Sequence, residues 1–262
     1  FLRTAPVMSV QPYRRAPAIA FANAKGGVGK STLAFLTVLY LAARGYRVRF
    51  LDLDPLRAGE KFVARFVEGS HILVGRPDSA QTEYRDENEH HWSDPTSGDD
   101  AADPDLLIVD TPAGVEPGDL FFLGPQDMLL IPSSLSDVDI AVTGDFCARL
   151  YREEEGVARG MSVIEVRREL RRYLPNVMLV PNMIDDEAGL YRLRNAAPSV
   201  PALPALRFSN DIRRVMQSSP SESTVVAALQ QNGQVFERVD TWAMAAVRRY
   251  RASVDEVAAD TD

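Results

Sequence analysis

Apolar residues along this chain alternate between two textures: short continuous runs, and longer stretches in which they recur at helical spacing. The run "AIAFAN" (18–23) is met at once by glycines, and residues 32–43 are strongly apolar at helical spacing and closed by Gly45. That is the pattern of a strand, a loop and a capped helix. "RVRFLDLD" (47–54) reads as a buried strand ending in two carboxylates, and 60–67 as a helix. "DLLIVDTP" (105–112) and "DMLLIPSS" (127–134) are two further strands, the first ending in Asp110 and the second in a turn. Ser136, with acidic residues directly after it, predicts the N-cap of the next helix, because acids suit the positive end of a helix dipole. A basic helix over 163–174 leads to a strand in "NVMLVPNMID" (176–185), short helices near Leu190 and Ile212, and a final helix over 234–250.

Near-continuous apolar strands alternating with helices predict an α/β fold, a mostly parallel sheet with helices on both faces. No repeat or linker divides it, so one domain is expected over 18–251, preceded by an extension at 1–17 and followed by an acidic tail at 252–262. Between the second and third of these strands the pattern lapses. Residues 83–105 hold nine acids and one arginine, a charge of −8 that equals the net charge of the whole chain, so the remainder is balanced. With its prolines and few large apolar residues, the region of about 77–105 reads as a solvated insertion. In open parallel sheets ligands sit beyond the carboxyl ends of the strands. The unusual residues cluster there: 25–32, Asp52, Asp54, Asp110 and Asn182.

Composition narrows the function classes. At 262 residues, 45% hydrophobic and 25% charged, the chain has the make-up of a globular protein with one substantial core or two small ones. Its single cysteine, Cys147, excludes an internal disulfide and any multi-thiolate or iron–sulfur site, and is read as a small buried apolar residue. No apolar run approaches the roughly 18 residues a membrane span needs, and no signal-peptide layout is seen, so a soluble cytoplasmic protein is expected. His71, His90 and His91 lack the spacing of a metal site.

The chain has only three lysines against 26 arginines, and two of them, Lys25 and Lys30, stand in "ANAKGGVGKST". A compact ammonium is kept twice here in a chain that otherwise uses arginine almost throughout. Gly26, Gly27, Val28, Gly29, Lys30 and Ser31 sit between a strand and a helix. There the backbone N–H groups can surround phosphate oxygens, Lys30 can reach the terminal phosphates, and the Ser31 hydroxyl can ligate magnesium. The general phosphate-loop pattern wants glycine where this chain has Ala24.

"KGGVGKST" resembles the deviant Walker A motif of the ParA/MinD family of P-loop ATPases, in which that position varies and a signature lysine stands at 25. "LDLDP", "LLIVDTP" and "VPNMID" follow in the family's order, with Leu56 where glutamine is usual. The resemblance implies ATP and Mg2+ as cofactors and an ATP-dependent homodimer that sandwiches the nucleotides. Lys25 would reach the partner's phosphates, Asp54 would position the attacking water, and Asp110 would hold magnesium through water. Asp52 would support the magnesium shell, Thr32 would contact the α-phosphate, and Asn182 the adenine. A cation supplied by the other subunit acts as an arginine finger does. Against these roles, Asp52 and Asp54 at a strand end can also simply cap the turn.

The family implies a nucleotide-switched surface for non-specific DNA, as in ParA-like partition proteins, or for membrane, as in MinD-like ones. The acidic end "ASVDEVAADTD" is a poor membrane anchor. Basic clusters at Arg167, Arg168, Arg171 and Arg172, at Arg213 and Arg214, and at Arg248, Arg249 and Arg251 offer a DNA face, or equally a set of solvated helix faces. Trp242, Met244, Ala245 and Val247 read as core packing. A ParA-like positioning ATPase with a ParB-like or cargo-adaptor partner is expected, with a faint likeness of "SLSDVDIA" to the MipZ-like branch. A small-molecule kinase or ligase, and an adaptor that binds ATP without hydrolysis, are the other classes.

Overall fold

The computed structural model describes residues 15–66, 71–75, 104–120, 122–151, 176–183, 187–207, 212 and 222–259. Six strands form one sheet: β1 (Ala18–Phe21), β2 (Val48–Asp52), β3 (Ile72–Gly75), β4 (Leu106–Asp110), β5 (Met128–Ser133) and β6 (Asn176–Pro181). Their order is β3-β2-β4-β1-β5-β6, and every pairing is parallel. The helices are α1 (Lys30–Ala43), α2 (Ala58–Val63), α3 (Asp137–Leu150), α4 (Glu187–Ala196), α5 (Glu222–Gln231) and α6 (Gly233–Ala259). The parallel α/β sheet expected from the apolar runs is the fold.

The strands read as continuous apolar runs because both sheet faces are covered. In β1, Ile19 and Phe21 pack on one side with Leu33 and Phe35 of α1 and Phe236 of α6. Ala18 and Ala20 pack on the other with Phe146 of α3 and Leu193 of α4. In β4, Leu106 and Ile108 share the α1 side while Leu107 and Val109 face away. Alternation along the strand therefore sends Asp110 to the α1 side, and Asp52 follows Val48 and Phe50 of β2 to the same side. Helix α1 is buried along most of its length, with each interior Leu or Phe contributing about 1.5–3 kcal/mol. Its first residue is thereby fixed against the sheet, beside the carboxyl ends of β1 and β4.

Several elements differ from expectation. The helix expected over 60–67 is instead α2, which starts earlier and spans Ala58–Val63, followed by a 3-10 turn over Ala64–Phe66. Strand β3, four residues of "ILVG", and helix α5, whose apolar residues form the one short run "VVAAL", carry patterns too short to stand out. Helix α6 continues past 250 to Ala259. Its core face is Val239, Ala243, Ala246 and Val247, while the helical period turns Met244 and Ala245 outward and leaves Trp242 partly buried. Ser136 caps α3 as expected, its Oγ accepting from the Asp139 N–H at 3.1 Å. The basic helix at 163–174, most of the acidic segment, and Arg213 and Arg214 lie outside the described residues.

Residues 15–17 belong to the fold. The Arg15 guanidinium donates to both oxygens of Asp127, at 3.0 and 2.6 Å, and to the Phe122 carbonyl at 2.6 Å. Asp127 is fully buried and also accepts the Ala18 and Gly124 N–H groups. Arg15→Ala strands that carboxylate, and a stability loss of about 3 kcal/mol is expected, roughly 10 °C in thermal denaturation. A melting temperature unchanged within about 2 °C would contradict this.

Candidate functional site

The loop between β1 and α1 is shaped for an anion. Gly29, at φ 96°, stands at the N-cap of α1 in the left-handed region, which glycine tolerates and other residues rarely adopt. No side chain caps α1 and no acid occupies its first turn, so its leading N–H groups are left to a ligand. Val28 is buried and pins the loop from within, while Ser31 at the mouth is exposed. Gly26, Gly29 and Thr32 are half-buried around the same turn, and Gly27 is exposed. The Lys30 ammonium folds back into the loop and donates to the Lys25 carbonyl at 3.1 Å. Burial lowers the Lys30 pKa, and the fields of Asp110 and Asp54 work against that lowering.

Lys25 is disposed differently. Its backbone N–H is held by Asn23 Oδ1 at 3.0 Å, and Asn23 is itself buried and donates to the Pro132 carbonyl and to Thr143 Oγ1. The backbone is thus anchored across β5 to α3. The half-exposed Lys25 ammonium lies 3.8 Å from Asp139 at the start of α3.

Two carboxylates meet below the loop. Asp52 and Asp110 are register partners on neighbouring strands. Asp110 is 1% exposed, and among the described residues neither of its oxygens meets hydrogen-bond geometry, although the Ser31 hydroxyl stands close by. Burial pushes its pKa up to about 7; the nearby Ser31 hydroxyl and Lys30 ammonium offset this only in part, and Asp52 and Asp54 add to it. Asp52 differs. Its Oδ1 accepts the Asp54 N–H at 3.0 Å and its Oδ2 the Glu60 N–H at 2.9 Å. Burial raises its pKa while these N–H groups lower it. A Cβ at Gly59 would lie 3.0 Å from both Asp52 Oδ2 and the Phe50 ring. Asp52 therefore braces the turn and the start of α2, the capping alternative open to a strand-end aspartate. Asp54 accepts the Leu56 N–H at 2.9 Å and closes the turn, with Arg57 left-handed at φ 46°.

Asn182, just past β6, lies under the loop. Its Nδ2 donates to the Val28 carbonyl at 2.9 Å and its Oδ1 accepts the Met183 N–H at 3.0 Å. Lys25 to Ser31, Asp54, Asp110 and Asn182 are thus brought together at one end of the sheet. Asn23 and Asp139 belong to the same site and carry no motif of their own; only the fold places them against Lys25. Of the terminal basic cluster, Arg248 and Arg249 are exposed, whereas Arg251 bonds Asp105 at 2.6 Å. Among the described residues no group of His, Cys, Asp and Glu forms a metal site by itself.

A family model described as the CobQ/CobB/MinD/ParA nucleotide binding domain matches residues 19–218, well over half of the chain. The chain belongs to this family. The matched domain is a nucleotide-binding one, and the anion loop lies within the matched residues. A curated relative, the chromosome-partitioning ATPase Soj of Thermus thermophilus, is 32% identical over 139 residues, covering 44% of this chain and 53% of that protein. The match spans about half of that relative's length. Among solved structures, a putative plasmid partition protein from Borrelia burgdorferi bound to AMPPNP has a TM-score of 0.55 at 13% identity, covering 86% of this chain and all of that one. The MinD cell division protein of Aquifex aeolicus has a TM-score of 0.52 at 15% identity, covering 90% of this chain and 98% of that one. These two likenesses show the fold and are equally good for partition and division proteins.

Proposed function

We propose that the chain is a ParA-like, magnesium-dependent ATPase that forms an ATP-dependent sandwich dimer and cycles on non-specific DNA to position or segregate a cargo. The observation that carries this reading is the division of labour between the two lysines of one loop. Lys30 is turned inward and committed to its own loop, while the half-exposed Lys25, among the described residues, holds only a loose ion pair from an anchored backbone. A phosphate loop needs one ammonium, and a second poised outside it suits a phosphate on another copy.

The donor set fits magnesium, a hard cation that takes oxygen ligands and keeps several waters. Asp110, buried with both oxygens unpartnered, and the exposed Ser31 hydroxyl are the residues that would hold it. Bound there, the cation would neutralise charge on the terminal phosphates. Asp54 would orient the attacking water, and Asp52 would fix Asp54 through the N–H it accepts. Exposed Arg248 and Arg249 on α6 support a DNA face, and a ParB-like or adaptor protein is the stimulating partner. No described helix is long and apolar enough to cross a membrane, and α6 ends with acidic Asp255 and Glu256, which an anionic lipid surface repels.

Gel filtration with a slowly hydrolysed ATP analogue, with and without duplex DNA, tests this directly. A nucleotide-dependent dimer is expected, and Lys25→Ala should bind nucleotide yet remain monomeric. Co-elution with DNA should weaken steeply between about 50 and 200 mM salt, and further in Arg248→Ala/Arg249→Ala. A monomer under all conditions, or a dimer untouched by Lys25→Ala, would remove the reading.

A further inference from the structure

We infer that Asn182 acts as a positioning residue of the phosphate loop, holding the Val28 peptide so that the N–H groups that follow it face the phosphates. This rests on the nucleotide-binding reading above and changes the work that the family resemblance gave this residue. Asn182 is 5% exposed and its carboxamide is anchored at both ends: Nδ2 on the Val28 carbonyl at 2.9 Å, Oδ1 on the Met183 N–H at 3.0 Å.

Its own backbone is equally constrained. The Asn182 N–H donates to the Ser133 carbonyl at 2.8 Å, tying it to the end of β5. Met183 then adopts the left-handed region at φ 59°, uncommon for a residue with a side chain. This turn, made directly after β6 ends at Pro181, brings the carboxamide under the loop rather than along the strand.

The contact is close. A Cβ built on Gly29 would collide with Asn182 Nδ2, closer than non-bonded atoms approach. The loop therefore rests directly on the carboxamide. Tethering the carbonyl of Val28 downward fixes the orientation of that peptide plane, because the amide is rigid and planar. The Gly29 N–H belongs to this plane, and the leading N–H groups of α1 follow it. Without the tether, the flexible glycine turn would have to be ordered by the ligand itself, and that ordering is subtracted from affinity.

A phosphate-loop tether and an adenine reader differ in what they lose. If Asn182 holds the loop, any triphosphate suffers from its removal, with or without a base. If it reads adenine, only the base-bearing ligand suffers. The experiment measures, by isothermal calorimetry with magnesium, the affinity of the full chain for ATP, GTP and inorganic triphosphate, in the unsubstituted protein, Asn182→Ala and Asn182→Ser. Serine keeps a hydroxyl but is too short to bridge to Val28, and it serves if the alanine variant does not fold.

Removing one such hydrogen bond is expected to weaken inorganic triphosphate and ATP alike by about three- to tenfold. The ATP-to-GTP preference should stay within about twofold of the unsubstituted value. Unchanged inorganic triphosphate affinity, with ATP alone weakened, would overturn the inference and return Asn182 to the base. An unsubstituted chain that binds neither ATP nor inorganic triphosphate would instead remove the nucleotide-binding reading, and the inference with it.

Discussion

In the metal-free chain at pH 8, Asp110→Asn is expected to melt at a higher temperature than the unsubstituted protein, while magnesium-dependent ATP hydrolysis falls by about ten- to a hundredfold. The two effects share one cause. Asp110 lies 1% exposed with neither oxygen partnered, and its pKa is pushed from 3.8 up to about 7. Between those values the folded chain holds a proton that the unfolded chain has released. Stability therefore falls as pH rises from about 4 towards 7 and remains lower above that. At pH 8 the fold carries a buried negative charge that only a cation would relieve.

Asparagine keeps the shape and removes that charge. The difference in melting temperature between the two proteins should therefore grow from pH 5 to pH 8, by several degrees for a stability gain of about 1–3 kcal/mol. Thermal denaturation with chelator at both pH values checks it, and a difference independent of pH would contradict it. Added magnesium and nucleotide should raise the melting temperature of the unsubstituted chain more than that of the variant.

Lys30→Ala is expected to lower ATP affinity by about a hundredfold, the weight of one charge-assisted contact to a buried phosphate. Arginine should not restore it, since a planar fork does not fit where a compact ammonium folds back on the Lys25 carbonyl. A second consequence appears without nucleotide. The Lys30 field opposes the raised pKa of Asp110, so its removal leaves that carboxylate less compensated and lowers stability at pH 8. Adding Asp110→Asn should recover the stability and not the affinity. That non-additivity, expected of neighbours acting on one charge, is read by combining melts with calorimetric titration. Strictly additive melting shifts would show that the two groups do not share a field.

Much of this site is local in the chain. The strand, glycine turn and apolar helix that make the anion loop follow one another directly, so their pattern could be read without tertiary information. The same holds for the strand-end positions of Asp52 and Asp110 and for the Ser136 cap, each set by a few adjacent residues. The covered parallel sheet was equally legible, because strands buried on both faces must be apolar at nearly every position. Strand β3 and helix α5 were not, their apolar runs being too short to show a period.

What only the tertiary structure decided concerns groups far apart in sequence. Lys25 meets Asp139, Asn182 reaches under Val28, and Arg15 neutralises Asp127. The division between Asp52, taken up by backbone N–H groups, and Asp110, left unpartnered, is of the same kind. Identical side chains at equivalent strand ends differ here because one is overlaid by a returning loop and the other is not. Hydrophobic period and turn chemistry are local signals, and so the sequence by itself determined which elements form and which strand ends carry polar residues. Hydrogen bonding and desolvation depend on whichever atoms arrive from elsewhere, and packing alone sets that.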